Sequence, residues 1–352
     1  MVAGFKIMPS DLASGPLFVV GVWRSGTSLL YALLNQHPQI ALMYEGELPN
    51  LWPLFWVPGL RSSWPVRLEV WNSAFTRHQI DVGSIPTGLI HVKTASEALY
   101  QEYARRRGAT IWGEKSPSYL DSLISIARTF PNARFIAIWR DPAGICGSVI
   151  RAASSGHYFA RRGMPLRALL GVHRMKVECD ELRAKGTPVH HIQYEELIRD
   201  PASRMMEVCK FLGIPFDPGM ASLKGADRSA LYGGDHHALV KGNNIVSSSE
   251  RAEVLCPKFK RKIERYTLFW KQRYGGEWPA FPRSAGNQAG KPNLVERLVD
   301  RALYRLLRGI DLATCLTYCF APLGLLKARK DNTARNEAKA EQQQVVRPPQ
   351  KV

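Results

Sequence analysis

Residues 21–28 read GVWRSGTS. Gly21 and Gly26 stand at the spacing of a phosphate-binding loop, in which the second glycine is followed by lysine and then by serine or threonine. Here Thr27 takes the lysine position, and a cation, Arg24, lies inside the loop instead. Such a loop still binds phosphate when it opens a helix. The first turn presents unpaired N–H groups and the positive end of the helix dipole, whatever the side chains are. Ser25, Gly26, Thr27 and Ser28 add hydroxyl and amide donors, and Arg24 can neutralise an anion from the other side of the loop. In nucleotide triphosphatases the lysine reaches the β and γ phosphates, and the following hydroxyl holds magnesium. With Thr27 in that place the loop suits a nucleotide 5′-phosphate and suits magnesium–ATP poorly.

The surrounding sequence must supply a strand, a turn and a helix. LFVVGV (17–22) is a short apolar, β-branched run that reads as a buried strand of a parallel sheet. After the loop, Leu29, Leu30, Leu33 and Leu34 recur at helical spacing, and Pro38 lies just beyond the helix end. RFIAIW (134–139) is a second buried strand, running into Arg140-Asp141-Pro142, and PVHHIQYEEL (188–197) contains a third. Helical patterns fall at about 118–129, 166–185 and 201–212. Strands alternating with helices predict a three-layer α/β/α fold on a mainly parallel central sheet. The Trp-, Pro- and Leu-rich stretch 48–75 suits a partly apolar wall or lid.

Three further segments extend the chemistry. WRDPAGICGSV follows the second strand, WGEKSPSYL precedes it, and MYEGEL follows the first helix. Together with WRSGTSLLYALLNQHPQI they resemble the sulfotransferases that use 3′-phosphoadenosine 5′-phosphosulfate, in the branch of bacterial and tyrosylprotein enzymes. The resemblance spans about 17–245 and implies a P-loop-like fold and sulfuryl transfer without a metal. It implies that Arg24 to Ser28 bind the 5′-phosphosulfate, and that Arg140 and Ser148, eight residues later, bind the 3′-phosphate. It makes Lys115 and Arg24 candidates to stabilise charge on the leaving oxygen and sulfuryl group. It makes Glu45 the candidate base for the acceptor hydroxyl, with Glu47 as the alternative. His37 reads as a helix-end residue. In GGDHHALVKGNN (233–244), Lys241 and His236 are candidates to close over the adenosine, or simply parts of a polar loop. YEELIRDP (194–201) resembles a recurrent structural segment.

The net charge of +18 calls for an anionic partner, and no nucleic-acid motif accompanies it. The six cysteines, at 146, 179, 209, 256, 315 and 319, form no C-x-x-C pair, so most read as small core residues and a zinc site is not expected. Neither a signal peptide nor a span of about 20 apolar residues is legible. The expected division is a catalytic domain over 1–285, a basic helical appendage over 286–330 and a disordered polar tail over 331–352. Within the appendage, apolar residues from Leu294 to Ile310 form one face, with Arg297, Arg301, Arg305 and Arg308 largely outside it. That pattern fits a helix in an anionic membrane interface, with LATCLTYCFAPLGLL behind it, and equally a helix packed on protein. The expected location is cytoplasmic, with peripheral contact over 294–326. The expected acceptor is a hydroxyl on a glycan, lipid or small molecule. A small-molecule kinase and a non-catalytic polyanion binder on the same scaffold are the rival readings.

Overall fold

The computed structural model describes residues 15–46, 78–80, 92–120, 122–154 and 164–231, with isolated positions between 240 and 264. The expected lid, the linker near 285, the appendage and the tail lie outside these residues, as do Glu47, His236 and Lys241.

Five strands form one parallel sheet: β1 (Leu17–Val20), β2 (Ile40–Tyr44), β3 (Ile111–Lys115), β4 (Arg134–Trp139) and β5 (Val189–Gln193). Their order across the sheet is β2-β3-β1-β4-β5. Every residue of β1 is fully buried, because helices cover both faces of a parallel sheet. The strand period of two then divides its side chains between two cores. Leu17 and Val19 join the core built with α1 (Thr27–Leu34), α6 (Tyr194–Arg199) and α7 (Pro201–Leu212). Phe18 and Val20 join the opposite core, with α2 (Val92–Arg106), α3 (Leu123–Thr129), α4 (Pro142–Ser154) and α5 (Met164–Ala184). The result is the expected three-layer α/β/α arrangement.

Two strands went unread in the sequence. β2 is a run of five buried residues, IALMY, directly after His37-Pro38. β3 reads IWGEK, and its two charged residues hide a strand that is buried throughout. The helical pattern at 118–129 is divided in the structure. Pro117–Tyr119 make a single 3-10 turn, in which Ser116 Oγ accepts the Ser118 N–H at 3.2 Å, and α3 begins only at Leu123. The first expected strand ends at Val20, where the chain turns into the loop, and the third passes at Tyr194 into α6. Asp200 then caps α7, its carboxylate accepting the Ser203 N–H at 3.1 Å, with Pro201 at the first helical position. Among the described residues no helix is long and apolar enough to cross a membrane.

This topology decides where a site can lie. All five strands point the same way, so their C-terminal ends share one edge. The chain leaves β1 toward the face of α1, whereas it leaves the neighbouring strands β3 and β4 toward the face of α3 and α4. Connections that diverge to opposite faces open a crevice at the C-terminal edge, beside β1.

Candidate active site

The loop Gly21–Gly26 occupies that crevice. It is tight: the Ser25 N–H donates to Val22 O at 2.9 Å. A Cβ on Gly21 would lie 2.5 Å from Ser25 Oγ and 2.6 Å from Thr27 Cγ2. Gly26 is the N-cap of α1 with φ 102°, a left-handed conformation suited to glycine, and a Cβ there would meet the Tyr194 ring at 2.4 Å. No side chain caps α1, so its first-turn amides keep their donor capacity. Among the described residues, Ser25 Oγ is buried and has no hydrogen-bond partner. Such a hydroxyl, beside a helix N-terminus without a side-chain cap, is the donor set that a phosphate would satisfy.

Arg24 also has a positive φ, 71°. For a residue with a Cβ this is a sparsely populated conformation, and two contacts hold it there. Its carbonyl accepts from Arg140 Nη1 at 2.9 Å, and its Nε donates to Ser148 Oγ at 2.8 Å. Arg140 follows β4 directly, and Asp141 and Pro142 open α4. The Asp141 carboxylate caps that helix at the Gly144 N–H, 3.0 Å away. Ser148 therefore sits about two turns into α4, facing back toward the loop. The Arg140 guanidinium lies 4.3 Å from the centre of the Tyr194 ring. Arg24, Arg140 and Ser148, read from separate sequence motifs, thus form one basic cluster at the end of β1 and β4.

A second cluster lies on the other side of β1. Tyr44 and Lys115 are register partners at the ends of β2 and β3, and Val19 of β1 pairs with Lys115 from the far side. Residues in register project to the same face, here the face of α1. Lys115 has a side chain only 1% exposed and is ion-paired to Glu45, whose side chain is 16% exposed. Its Nζ is also 3.3 Å from Ser28 Oγ and 4.0 Å from the centre of the Tyr44 ring. Glu45 adopts φ 49°, a third left-handed turn at this edge, with its N–H donating to Lys115 O at 2.9 Å. The preceding residue of β3 points the opposite way. Glu114 is fully buried and accepts from the Tyr100 and Tyr119 hydroxyls, the latter at 2.5 Å. Burial and the Glu114 charge raise the Tyr100 phenol well above its ordinary pKa.

Of the two candidate cations, Lys115 contacts Glu45 and Ser28, and Arg24 contacts Arg140 and Ser148. His37 lies in neither group, since its Nε2 pairs with Pro215 O at 2.9 Å and its Nδ1 accepts the Gln39 N–H at 3.1 Å. His191 accepts from Trp139 Nε1 at 2.9 Å, and burial, with Arg183 and Lys176 nearby, pushes its pKa down to about 3. Two site residues escaped the sequence reading, Tyr44 and Tyr194. The signal for both was position, since each ends or directly follows a strand at the edge where the motif residues gather. No group of three His, Cys, Asp or Glu arranged as metal ligands occurs among the described residues.

Residues 16–218, more than half of the chain, match the model of the Sulfotransferase family. The chain is 27% identical over 206 residues to Protein-tyrosine sulfotransferase 1 of Danio rerio, covering 57% of this chain and 54% of that protein. It is 22% identical over 317 residues to Omega-hydroxy-beta-dihydromenaquinone-9 sulfotransferase of Mycobacterium tuberculosis, covering 76% of this chain and 78% of that one. The chain thus spans about half the length of the tyrosine sulfotransferase it matches. The sulfotransferase domain of the Curacin biosynthetic pathway superposes with a TM-score of 0.49 at 19% identity, covering 73% of this chain and 98% of that domain.

Proposed function

The chain belongs to the sulfotransferase family, and on that premise we propose that it transfers a sulfuryl group from 3′-phosphoadenosine 5′-phosphosulfate to an acceptor hydroxyl. The observation that carries the reading is the contact of Glu45 with Lys115 at the ends of adjacent strands, with Ser28 of the phosphate loop 3.3 Å from the ammonium. In-line displacement at sulfur needs a base for the incoming hydroxyl and a cation for the departing oxygen, close together and next to a phosphate site. The contacts among Glu45, Lys115 and Ser28 support that assignment.

When bound, the donor supplies a sulfuryl group on a phosphate leaving group. The α1 amides with Ser25, Thr27 and Ser28 hold the 5′-phosphate. Arg140 and Ser148, tied to the loop through Arg24, hold the 3′-phosphate. Glu45 takes the proton of the acceptor hydroxyl as its oxygen bonds to sulfur. Lys115 neutralises the charge that grows on the phosphate oxygen as the sulfur–oxygen bond breaks, and adenosine 3′,5′-bisphosphate departs. Glu47 stays the alternative base and Lys241 an adenosine contact.

The names of the relatives point to a protein tyrosine or a hydroxylated dihydromenaquinone as acceptors of those proteins. A protein tyrosine therefore joins the glycan, lipid and small-molecule hydroxyls as acceptor classes to screen. The basic appendage is read as a contact with an anionic membrane surface, supported by its amphipathic pattern alone.

The reading is tested by calorimetric titration with adenosine 3′,5′-bisphosphate in EDTA, with ATP as comparator. Metal-free binding of the bisphosphate, with ATP much weaker, is expected. No binding of the bisphosphate, or binding of ATP in a parallel titration with magnesium and none in EDTA, would overturn the assignment and favour the kinase reading.

A further inference from the structure

The Glu45–Lys115 contact raises a question of how a lysine with a side chain only 1% exposed is held in one place. The ion pair fixes one direction of the ammonium, since Glu45 approaches from its own strand end. Ser28 is at 3.3 Å, at the long end of hydrogen bonding, and fixes it weakly. A third contact is an aromatic face, the ring of Tyr44 at 4.0 Å. Tyr44 is itself immobile. It is fully buried, its ring packs edge-on against Tyr31 with centroids 5.0 Å apart, and its N–H donates to His78 Nε2 at 2.7 Å. Its hydroxyl lies 2.8 Å from Ser28 Oγ. One side chain therefore touches two members of the site by two different means, a π face on the ammonium and a hydroxyl on the loop serine.

We infer that Tyr44 is a positioning residue of the transfer site, its ring seating the Lys115 ammonium and its hydroxyl orienting Ser28 toward the phosphate. This rests on the proposed donor site, and it adds a residue that the motifs do not assign. The two means are separable by substitution. Tyr44→Phe keeps the π face and removes the hydroxyl. Tyr44→Leu removes both and leaves an apolar residue of moderate size.

The experiment is a double-mutant cycle read by calorimetric titration with adenosine 3′,5′-bisphosphate. Beyond the loss in Tyr44→Phe, Tyr44→Leu weakens binding by a further factor of about 3 to 30, the range of a cation–π contact. In a Lys115→Ala background that further loss disappears, because the ring no longer has an ammonium to seat. Tyr44→Phe loses about 3- to 10-fold, as for one neutral hydrogen bond, and this loss disappears in Ser28→Ala. A residue that merely supports the fold would instead weaken binding equally in every background, and that result would overturn the inference. A second measurement needs no nucleotide. Acetic anhydride labelling with peptide mapping should find Lys115 protected in the wild type, in Tyr44→Phe and in Tyr31→Leu, a control that loosens the same core without touching Lys115. It should find Lys115 labelled in Tyr44→Leu. Equal protection in Tyr44→Leu, or equal labelling in Tyr31→Leu, sinks the positioning role. Failure of the wild type to bind the bisphosphate would instead sink the donor assignment, while the labelling result still decides the role of Tyr44.

Discussion

Glu45 and Lys115 are not equivalent partners, and truncating each in turn should show it. The Lys115 side chain is 1% exposed and that of Glu45 is 16% exposed. Glu45→Ala takes the carboxylate away from an ammonium whose side chain is almost fully buried. Breaking a buried pair in this way costs about 3 kcal/mol. Lys115→Met removes the ammonium, fills much of its volume with apolar atoms and leaves a carboxylate at the rim, where it can turn toward solvent. Its cost should be about 1 kcal/mol, closer to that of an exposed pair. The double variant should be more stable than Glu45→Ala alone, since no charge is left stranded. Urea unfolding measures all three. Bisphosphate affinity should split the other way. Lys115→Met loses a charge-assisted contact worth about 1.5–3 kcal/mol, or about 10- to 150-fold in Kd. Glu45→Ala frees the lysine for the phosphate and should bind the bisphosphate at least as tightly as the wild type, while sulfuryl transfer falls by about 100-fold or more for want of a base. If the two single variants lose equal stability and equal nucleotide affinity, the assignment of base and cation from this contact is wrong.

Other consequences follow from the same geometry. Arg140→Ala should weaken adenosine 3′,5′-bisphosphate about 100-fold and adenosine 5′-monophosphate much less, since the 3′-phosphate loses its cation whereas the loop loses only the bond to the Arg24 carbonyl; equal losses for both ligands in calorimetry would remove Arg140 from that subsite. Gly26→Ala must place a Cβ 2.4 Å from the Tyr194 ring at φ 102°, so it should destabilise the fold by about 1–3 kcal/mol and abolish nucleotide binding, and a thermal melt and titration like those of the wild type would refute the loop geometry. His191, with a pKa held at about 3 against about 6.5 in the unfolded chain, stays neutral when folded. Between those values the unfolded chain takes up a proton that the folded chain excludes. Stability is therefore full above about pH 6.5 and falls by up to about 1.4 kcal/mol per unit as the pH drops toward 3. His191→Gln, which keeps an acceptor for Trp139, should flatten urea midpoints measured between pH 7 and pH 4.5, and parallel curves for the two proteins would refute the attribution.

How much of this was legible in the sequence depended on which periodicity each segment obeyed. The strands LFVV and RFIAIW were legible because a strand covered on both faces is apolar throughout, and β1 is. β3 broke that rule. IWGEK carries a glutamate and a lysine, yet each finds a partner on its own face, Glu114 in the buried tyrosines of one core and Lys115 in Glu45 at the rim of the other. Polarity marked the function of the segment and concealed its secondary structure. The motif residues were legible by type, because a loop glycine, an arginine at a strand end and a serine on the next helix each have few alternative uses in that order. What linear sequence could not convey was grouping. Arg24 and Lys115 are both cations near the same loop, and their motifs do not say which groups each one contacts. Strand order separates them: β3 and β4 flank β1 on opposite sides, so Lys115 and Arg140 are carried to opposite flanks of the loop. Arg24, turned by its positive φ, bonds to the β4 side. The same topology explains why Tyr44 escaped notice. Its importance comes from standing in register with Lys115 across a strand pair that joins residues 40–44 to 111–115, a contact that no local pattern in either segment records.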